Sequence, residues 1–262
     1  MTNASFELNR RQLITAASAF ALFGRGLTHA IAAEGDAAYA SLLKNAVKPD
    51  GSGFNRVNYS ALVASKADLD RVVSAYQTVS AKALNADDAK AFWINLYNAT
   101  TLKVIVDRYP VKSIKDIKLG GGGLFGSGPW SAKLVKVDGR ALSLDDIEHK
   151  ILRKTYKDPF IHYALNCASY SCPNLATIPY TGTNASELMR EGAKAYIGHP
   201  RGIDVKDGAI TASKIYSWYA GDFGGKGKLK DHWKNQASAE KSDMIEAAEI
   251  MSYAYDWSLN NA

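Results

Sequence analysis

Ala132-Lys-Leu-Val-Lys-Val137-Asp138-Gly139-Arg140-Ala-Leu142-Ser143-Leu-Asp-Asp146-Ile-Glu148-His149-Lys-Ile-Leu-Arg153 joins two elements of different kinds within one stretch. Ala132 to Val137 reads as a strand, and Asp138-Gly139 tolerates the left-handed backbone of a two-residue turn. Arg140 to Leu142 then returns as the second strand of a hairpin. Ser143 opens a helix, with Asp146 at its third position in a pattern close to a capping box. At 100° per residue Leu144, Ile147 and Ile151 form the buried stripe, which Leu152 extends.

The same grammar recurs on either side. Ile203 to Val205, Asp207-Gly208 and Ala209 to Thr211 form a second hairpin. Helices are predicted over Ala37–Val47, Tyr59–Val79, from Asn85 or Asp87 to Tyr109, and from Asn184 to His199. Others follow around Ile215–Tyr219 and in the Leu229–Met251 region, and Phe160 to Leu165 reads as a short apolar strand. Hairpins interrupt runs of helix instead of alternating with them strand by strand. That order predicts an α+β fold: a single helix-rich domain with a small antiparallel sheet. Neither internal repeats nor a long linker divides the chain, so residues 33–262 form one domain.

The helix ending before Pro110 is apolar on two sides. Trp93, Leu96, Tyr97, Thr100 and Val104 make one stripe, and Ala91, Ile94, Leu102 and Ile105 another, which places the helix inside the molecule. Asn95 and Asn98 fall on the second side. Their amides need partners there, either ordering a core or orienting a catalytic group.

The ends bound the setting. Arg10-Arg11 stands before a short apolar run from Leu13 to Phe23, followed by Ala30-Ile31-Ala32. This is the pattern of a cleavable export signal of the twin-arginine type, with cleavage after Ala32 and the twin-arginine export machinery as a partner. The expected location is periplasmic or secreted. A formal net charge of +6 with acids and bases interspersed is no nucleic-acid footprint. The basic stretch Gly225–Lys234 reads as a solvated helix start, and beyond the signal no run is long enough to span a membrane. Gly121, Gly123 and Gly126 match G-x-G-x-x-G, but Ser127-Gly128-Pro129 stands where a helix should begin, so this is a loop over a site or simply an exposed one.

Chemistry concentrates between residues 148 and 172. Glu148 lies on the apolar flank of its helix and His149 just beyond, so they are expected to serve different partners: Arg153 or a buried amide for Glu148, a thiol for His149. His162 precedes the only two cysteines, Cys167 and Cys172. Pro173 suits a first helical position, which would make Cys172 an N-cap where the helix dipole favours a thiolate. Four readings of the pair stay open: a structural disulfide in an oxidising compartment, a nucleophilic thiol aided by a histidine, a redox pair, or a metal site. The C-x4-C spacing departs from the usual C-x-x-C of redox pairs.

Together these segments resemble the family catalogued as domain of unknown function 547, found in bacteria and plants. The resemblance rests on Phe92-Trp-Ile-Asn-Leu-Tyr-Asn-Ala99, Leu142 to Arg153, and His162-Tyr-Ala-Leu-Asn-Cys167 through Ser171-Cys-Pro173. It extends to Ser217-Trp-Tyr219 with Asp222-Phe223, and to Tyr255-Asp-Trp-Ser-Leu-Asn260. It supplies no activity, and implies that Asn95, Asn98, Glu148, His149, Arg153, His162, Cys167 and Cys172 belong to recurrent motifs. The functional expectation is a thiol-dependent hydrolase or acyl or amide transferase. Cys172, with Cys167 as second choice, is its nucleophile and His149 or His162 its base. Asn95 or Asn98 orients the base or stabilises an oxyanion, and Glu148 balances charge. The rival expectation is a non-catalytic binding or scaffold module, stapled by a Cys167–Cys172 disulfide and taking a small molecule or peptide. No cofactor is named by the sequence.

Overall fold

The computed structural model describes residues 32–119 and 128–262. The twin-arginine segment through residue 31 and the loop glycines Gly121, Gly123 and Gly126 lie outside the described residues. Helix α1 (32–46) leads into an antiparallel hairpin of β1 (Val47–Pro49) and β2 (Asn55–Val57). Then come α2 (Tyr59–Ala64) and α3 (Lys66–Thr78). The single helix expected over 59–79 is broken at Ser65, whose N–H reaches back to the carbonyls of Ala61 and Leu62.

Helix α4 (Ala86–Val106) is the spine of the fold. Asn85 caps it as expected, its side-chain oxygen accepting from the N–H groups of Asp87 and Asp88. Ala91 to Leu102 is buried without interruption, so the two apolar stripes of the sequence become one buried cylinder. Trp93, Ile94, Leu96, Tyr97, Leu102 and Ile105 lie in the larger core, each contributing about 1.5–3 kcal/mol on burial. A second core gathers Tyr163, Tyr196, Ile197, Ile203, Tyr216, Phe223 and Trp233 around the later elements.

Strands β3 (Val135–Val137) and β4 (Arg140–Leu142) pair antiparallel as the sequence predicts. Their turn has Asp138 at φ 49° and Gly139 at φ 78°, a two-residue turn with both central residues left-handed. β5 (Ile203–Lys206) and β6 (Ala209–Ser213) repeat the device with Asp207 and Gly208. Strand β7 (Glu249–Ala254) adds to this sheet parallel to β6, in part of the region expected to be helical. The remaining helices are α6 (Ala185–Gly198), α7 (Lys214–Trp218), α8 (Leu229–Lys234) and α9 (Ala239–Ala247). The fold is α+β, helix-rich with small sheets built on hairpins.

Two local departures matter for function. The helix opening at Ser143 carries a π-helical segment, Asp146–Leu152, before α5 (Arg153–Tyr156). The capping box forms: the Asp146 N–H donates to Ser143 Oγ at 3.1 Å, and the Ser143 N–H to Asp146 Oδ2 at 2.9 Å. The expected strand around His162 is a 3-10 helix, Pro159–Tyr163, because Asp158 Oδ1 caps the N–H of Phe160 and Pro159 fixes the first turn.

Candidate functional site: a thiol-centred cavity

The cysteine loop follows that 3-10 helix directly. Asn98, from the middle of α4, donates its amide to the carbonyl of Ala164 (2.8 Å) and accepts the N–H of Asn166 (2.9 Å). Asn166 then closes the loop on itself. Its amide donates to the carbonyl of Pro173 at 2.7 Å, and its oxygen accepts the N–H of Ala168 at 3.0 Å. Ala168 takes φ +63° between these anchors. Asn260 reaches Asn166 Oδ1 at 3.3 Å and is itself held by the Tyr59 hydroxyl at 2.7 Å. Fully satisfied buried amides of this kind fix one backbone path.

That path brings the two sulfurs together. Both cysteines are free thiols, and Cys172 Sγ donates to Cys167 Sγ across 2.9 Å. A disulfide bond is about 2.05 Å long, so the staple expected as one alternative is not present. Cys172 is 2 % exposed, lies 3.6 Å from the carbonyl oxygen of Leu165 and accepts the backbone N–H of Cys167 at 2.8 Å. Burial pushes its thiol well above the usual range. No helix follows Pro173, so the N-cap role expected for Cys172 falls away.

Cys167 stands in the opposite environment. Its sulfur borders an open cavity of about 100 Å³ and also meets Ser169 Oγ (3.2 Å) and Tyr255 Oη (3.1 Å). The thiol of Cys172 first, then Ser169 and Tyr255, pull the Cys167 pKa down to about 7. Charge-assisted hydrogen bonds stabilise the thiolate more than the thiol. Sequence reasoning set Cys172 first; both cysteines line the cavity, with Cys167 half-buried and Cys172 almost fully buried.

The wall opposite is built by the π-helix and α7. Glu148 and His149 both line the cavity, with His149 Nδ1 and Glu148 Oε1 3.8 Å apart. Neighbours on a regular helix would diverge, and the wider π turn is what turns both inward. Glu148 Oε2 accepts from the Tyr97 hydroxyl at 3.1 Å and is bonded by Tyr219 as well. Its expected partners, Arg153 and a buried amide, are engaged elsewhere. Arg153 Nη1 donates to His149 Nδ1 at 3.1 Å, so the proton of neutral His149 sits on Nε2, 3.8 Å from Asp145 Oδ1. Burial raises the Asp145 carboxyl above its usual range.

His162 also lines the cavity. Its Nε2 hydrogen-bonds Asp222 Oδ2 at 2.7 Å, and its ring stacks on Tyr219 at 4.3 Å. Arg153 grips the same carboxylate at 2.6 and 3.1 Å. His162 first, then Arg153, hold Asp222 far below the ordinary carboxylate range. An imidazole anchored through Nε2 to an ionised carboxylate keeps Nδ1 for other work. Among the described residues no histidine nitrogen comes within hydrogen-bond distance of either sulfur. Trp130, Trp218 and Trp257 complete the rim with Tyr255. Trp257 touches Trp130, Trp218 and Tyr255 at ring separations of 5.5, 5.8 and 4.6 Å.

Asn95 does not reach this cavity. It clamps Tyr180, accepting the N–H at 2.9 Å and donating to the carbonyl at 2.8 Å, with a further bond to Asp36. Of the seven residues singled out in sequence, Cys167, Cys172, Glu148, His149 and His162 line one cavity, and Asn98 supports it from behind. Asp222, Tyr255, Ser169 and Asn166 were not singled out as site residues. Asp222 and Tyr255 carried a signal only through the resemblance, being 60 and 88 positions from their partners. No group of three or more His, Cys, Asp or Glu among the described residues is placed to hold a metal ion.

Two free cysteines in sulfur contact, a carboxylate-anchored imidazole and an acidic, aromatic wall surround one cavity. Residues 81–197 match the family described as "Protein of unknown function, DUF547". The match takes in α4, the π-helix, His162 and both cysteines, while Trp218, Asp222 and Tyr255 lie beyond it. No curated protein and no solved structure matches the chain.

Proposed function

We propose that the protein is a thiol-dependent hydrolase or transferase of acyl or amide groups, with Cys167 as nucleophile. The observation that carries this reading is the sulfur of Cys167, open to the cavity, accepting from the Cys172 thiol and in contact with the hydroxyls of Ser169 and Tyr255. A thiol whose pKa is drawn down to about 7 needs less help from a base, which fits the lack of a histidine contact to either sulfur among the described residues.

The steps balance as follows. The thiolate adds to the substrate carbonyl, forming a C–S bond and an oxyanion, and the hydroxyls of Ser169 and Tyr255 turn from sulfur to that oxygen. Collapse expels an amine or alcohol, which takes the Nδ1 proton of protonated His162. A water or second acceptor then loses its proton to His162 Nδ1 and attacks the thioester, returning the thiolate. Asp222 holds His162 in the required tautomer. Glu148 and Asp145 balance the imidazoles' charge. The chain acts in the periplasm or outside the cell after twin-arginine export, a reading supported by Arg10-Arg11 and the apolar run behind it.

The test uses the full chain, kept reduced, and p-nitrophenyl acetate. A burst of one acetyl group per chain on Cys167 is expected, with a rate that rises with pH through a midpoint near 7. Cys167→Ser loses the burst, and His162→Ala slows release of the acyl group by about 10²–10⁴-fold. Equal acetylation of the wild type and Cys167→Ser would sink the reading. Intact mass of the exported form reports cleavage after Ala32 in the same preparation.

A further inference from the structure

Two thiols of unequal access meet in one loop. Both cysteines line the cavity, but Cys167 is half-buried while Cys172 is 2 % exposed, with its S–H directed at the Cys167 sulfur over 2.9 Å. The loop holding them is pinned at Ala164, Asn166 and Pro173, and the N–H of Cys167 also rests on the Cys172 sulfur. Neither cysteine can drift away without breaking that frame. An oxidant entering the cavity meets Cys167 as the more accessible sulfur, and any oxidised sulfur there already touches a second thiol.

We propose that the protein also reduces hydroperoxides, Cys167 attacking the peroxide and Cys172 resolving the product by closing a Cys167–Cys172 bond. This activity shares the nucleophile of the proposed function and none of its acyl chemistry. In the first step the Cys167 thiolate gives an electron pair to the terminal oxygen of ROOH. The S–O bond forms, the O–O bond breaks, and RO⁻ leaves as the alcohol with a proton from solvent. The hydroxyls of Ser169 and Tyr255, 3.2 and 3.1 Å from the sulfur and 2.9 Å from each other, are placed to bond the peroxide oxygens. In the second step Cys172 sulfur attacks the sulfenic sulfur. The S–S bond forms, the S–O bond breaks, and hydroxide departs with the Cys172 proton as water. The peroxide gains two electrons and the two sulfurs lose them. An external dithiol reopens the bond by exchange, entering at the accessible Cys167 sulfur.

The pair differs from the usual spacing of redox dithiols, yet direct sulfur contact is what resolution requires, and five positions of separation here deliver it. The experiment treats the full chain with dithiothreitol, removes it, and adds one equivalent of hydrogen peroxide or cumene hydroperoxide at neutral pH. One peroxide consumed per chain is expected, with the intact mass falling by two hydrogens and returning after dithiothreitol. Cys172→Ser should consume peroxide and stop at a Cys167 sulfenic acid that dimedone traps; Cys172→Ala serves if the serine variant misfolds. Cys167→Ser should consume none above the uncatalysed rate. The proposal is overturned if the wild type leaves the peroxide unconsumed, if Cys167 overoxidises without an S–S bond, or if the chain carries a bond that dithiothreitol does not open. A wild type inert to peroxide but still acetylated at Cys167 overturns this inference and leaves the proposed function standing.

Discussion

Asn98 shows how one buried amide sets the chemistry of a residue it never touches. It satisfies the carbonyl of Ala164 and the N–H of Asn166, and those two groups fix where the cysteine loop departs. Asn98→Ala leaves both groups buried and unpaired, so a loss of about 2–4 kcal/mol is expected in urea unfolding. A change below about 1 kcal/mol would show that water takes over both bonds. That an amide would be buried at position 98 was readable from the two-sided stripe of α4. That it would orient backbone instead of an imidazole was not, because its partners lie 66 and 68 positions away. Asn95 carries the same sequence signal and serves a different segment, Tyr180. Periodicity places a side chain on a face and is silent about what waits there.

At the scale of elements, the helix opening at Ser143 is where pattern and geometry part. Its start was legible: Ser143 and Asp146 make the reciprocal bonds their spacing implies. Its π segment was not, since the sequence gives the same apolar stripe whether the turns are regular or wide. The wide turn brings Glu148 and His149 to one wall. Ser143→Ala removes the cap hydroxyl from a buried position and should cost about 1–2 kcal/mol, read as a lower denaturant midpoint. Normal stability in that variant would mean that Asp146, which also meets Lys133 and Lys150, holds the helix start alone. The turns of both expected hairpins were recovered because Asp-Gly at a left-handed pair is a strong local signal, while the first strand starts at Val135 instead of Ala132 and the second pair runs on to Lys206 and Ser213. β7 was missed because a parallel partner, pairing across about forty positions, leaves no local mark.

For the whole molecule, acid should act through the second core. His232 is wedged between Tyr163, which it meets at 2.8 Å, and the rings of Phe160 and Phe223. Burial first, and then the charge of His162, pull its pKa down to about 4. In the unfolded chain it titrates near the ordinary 6.5, so below that pH the unfolded state binds the extra proton. Stability is therefore full above about pH 6.5 and is lost progressively as pH falls toward 4. Asp222 adds the same sign lower down, since its depressed carboxyl favours the fold only above the ordinary carboxylate range. Urea midpoints measured from pH 7.5 to 4 should fall steadily, and His232→Phe should flatten that slope. An unchanged slope in the variant would place the acid sensitivity elsewhere. The α+β class was legible from the order of hairpins and helices. The division into two cores was not, because Tyr163 belongs to one and its neighbour Ala164 to the other.

Tyr255 lies 88 positions after the thiol it serves. A ribosome that has just finished the cysteine loop needs on the order of ten seconds more to supply that hydroxyl. The backbone carbonyls of Asp256 and Ser258, which hold Ser171 and Tyr170, arrive later still. Through that interval the nascent chain carries Cys167 without the Tyr255 hydroxyl and without the backbone anchors that seat its loop. The surroundings of Cys167 are thus completed late in synthesis, once the chain reaches Asn260, whose amide closes on Asn166.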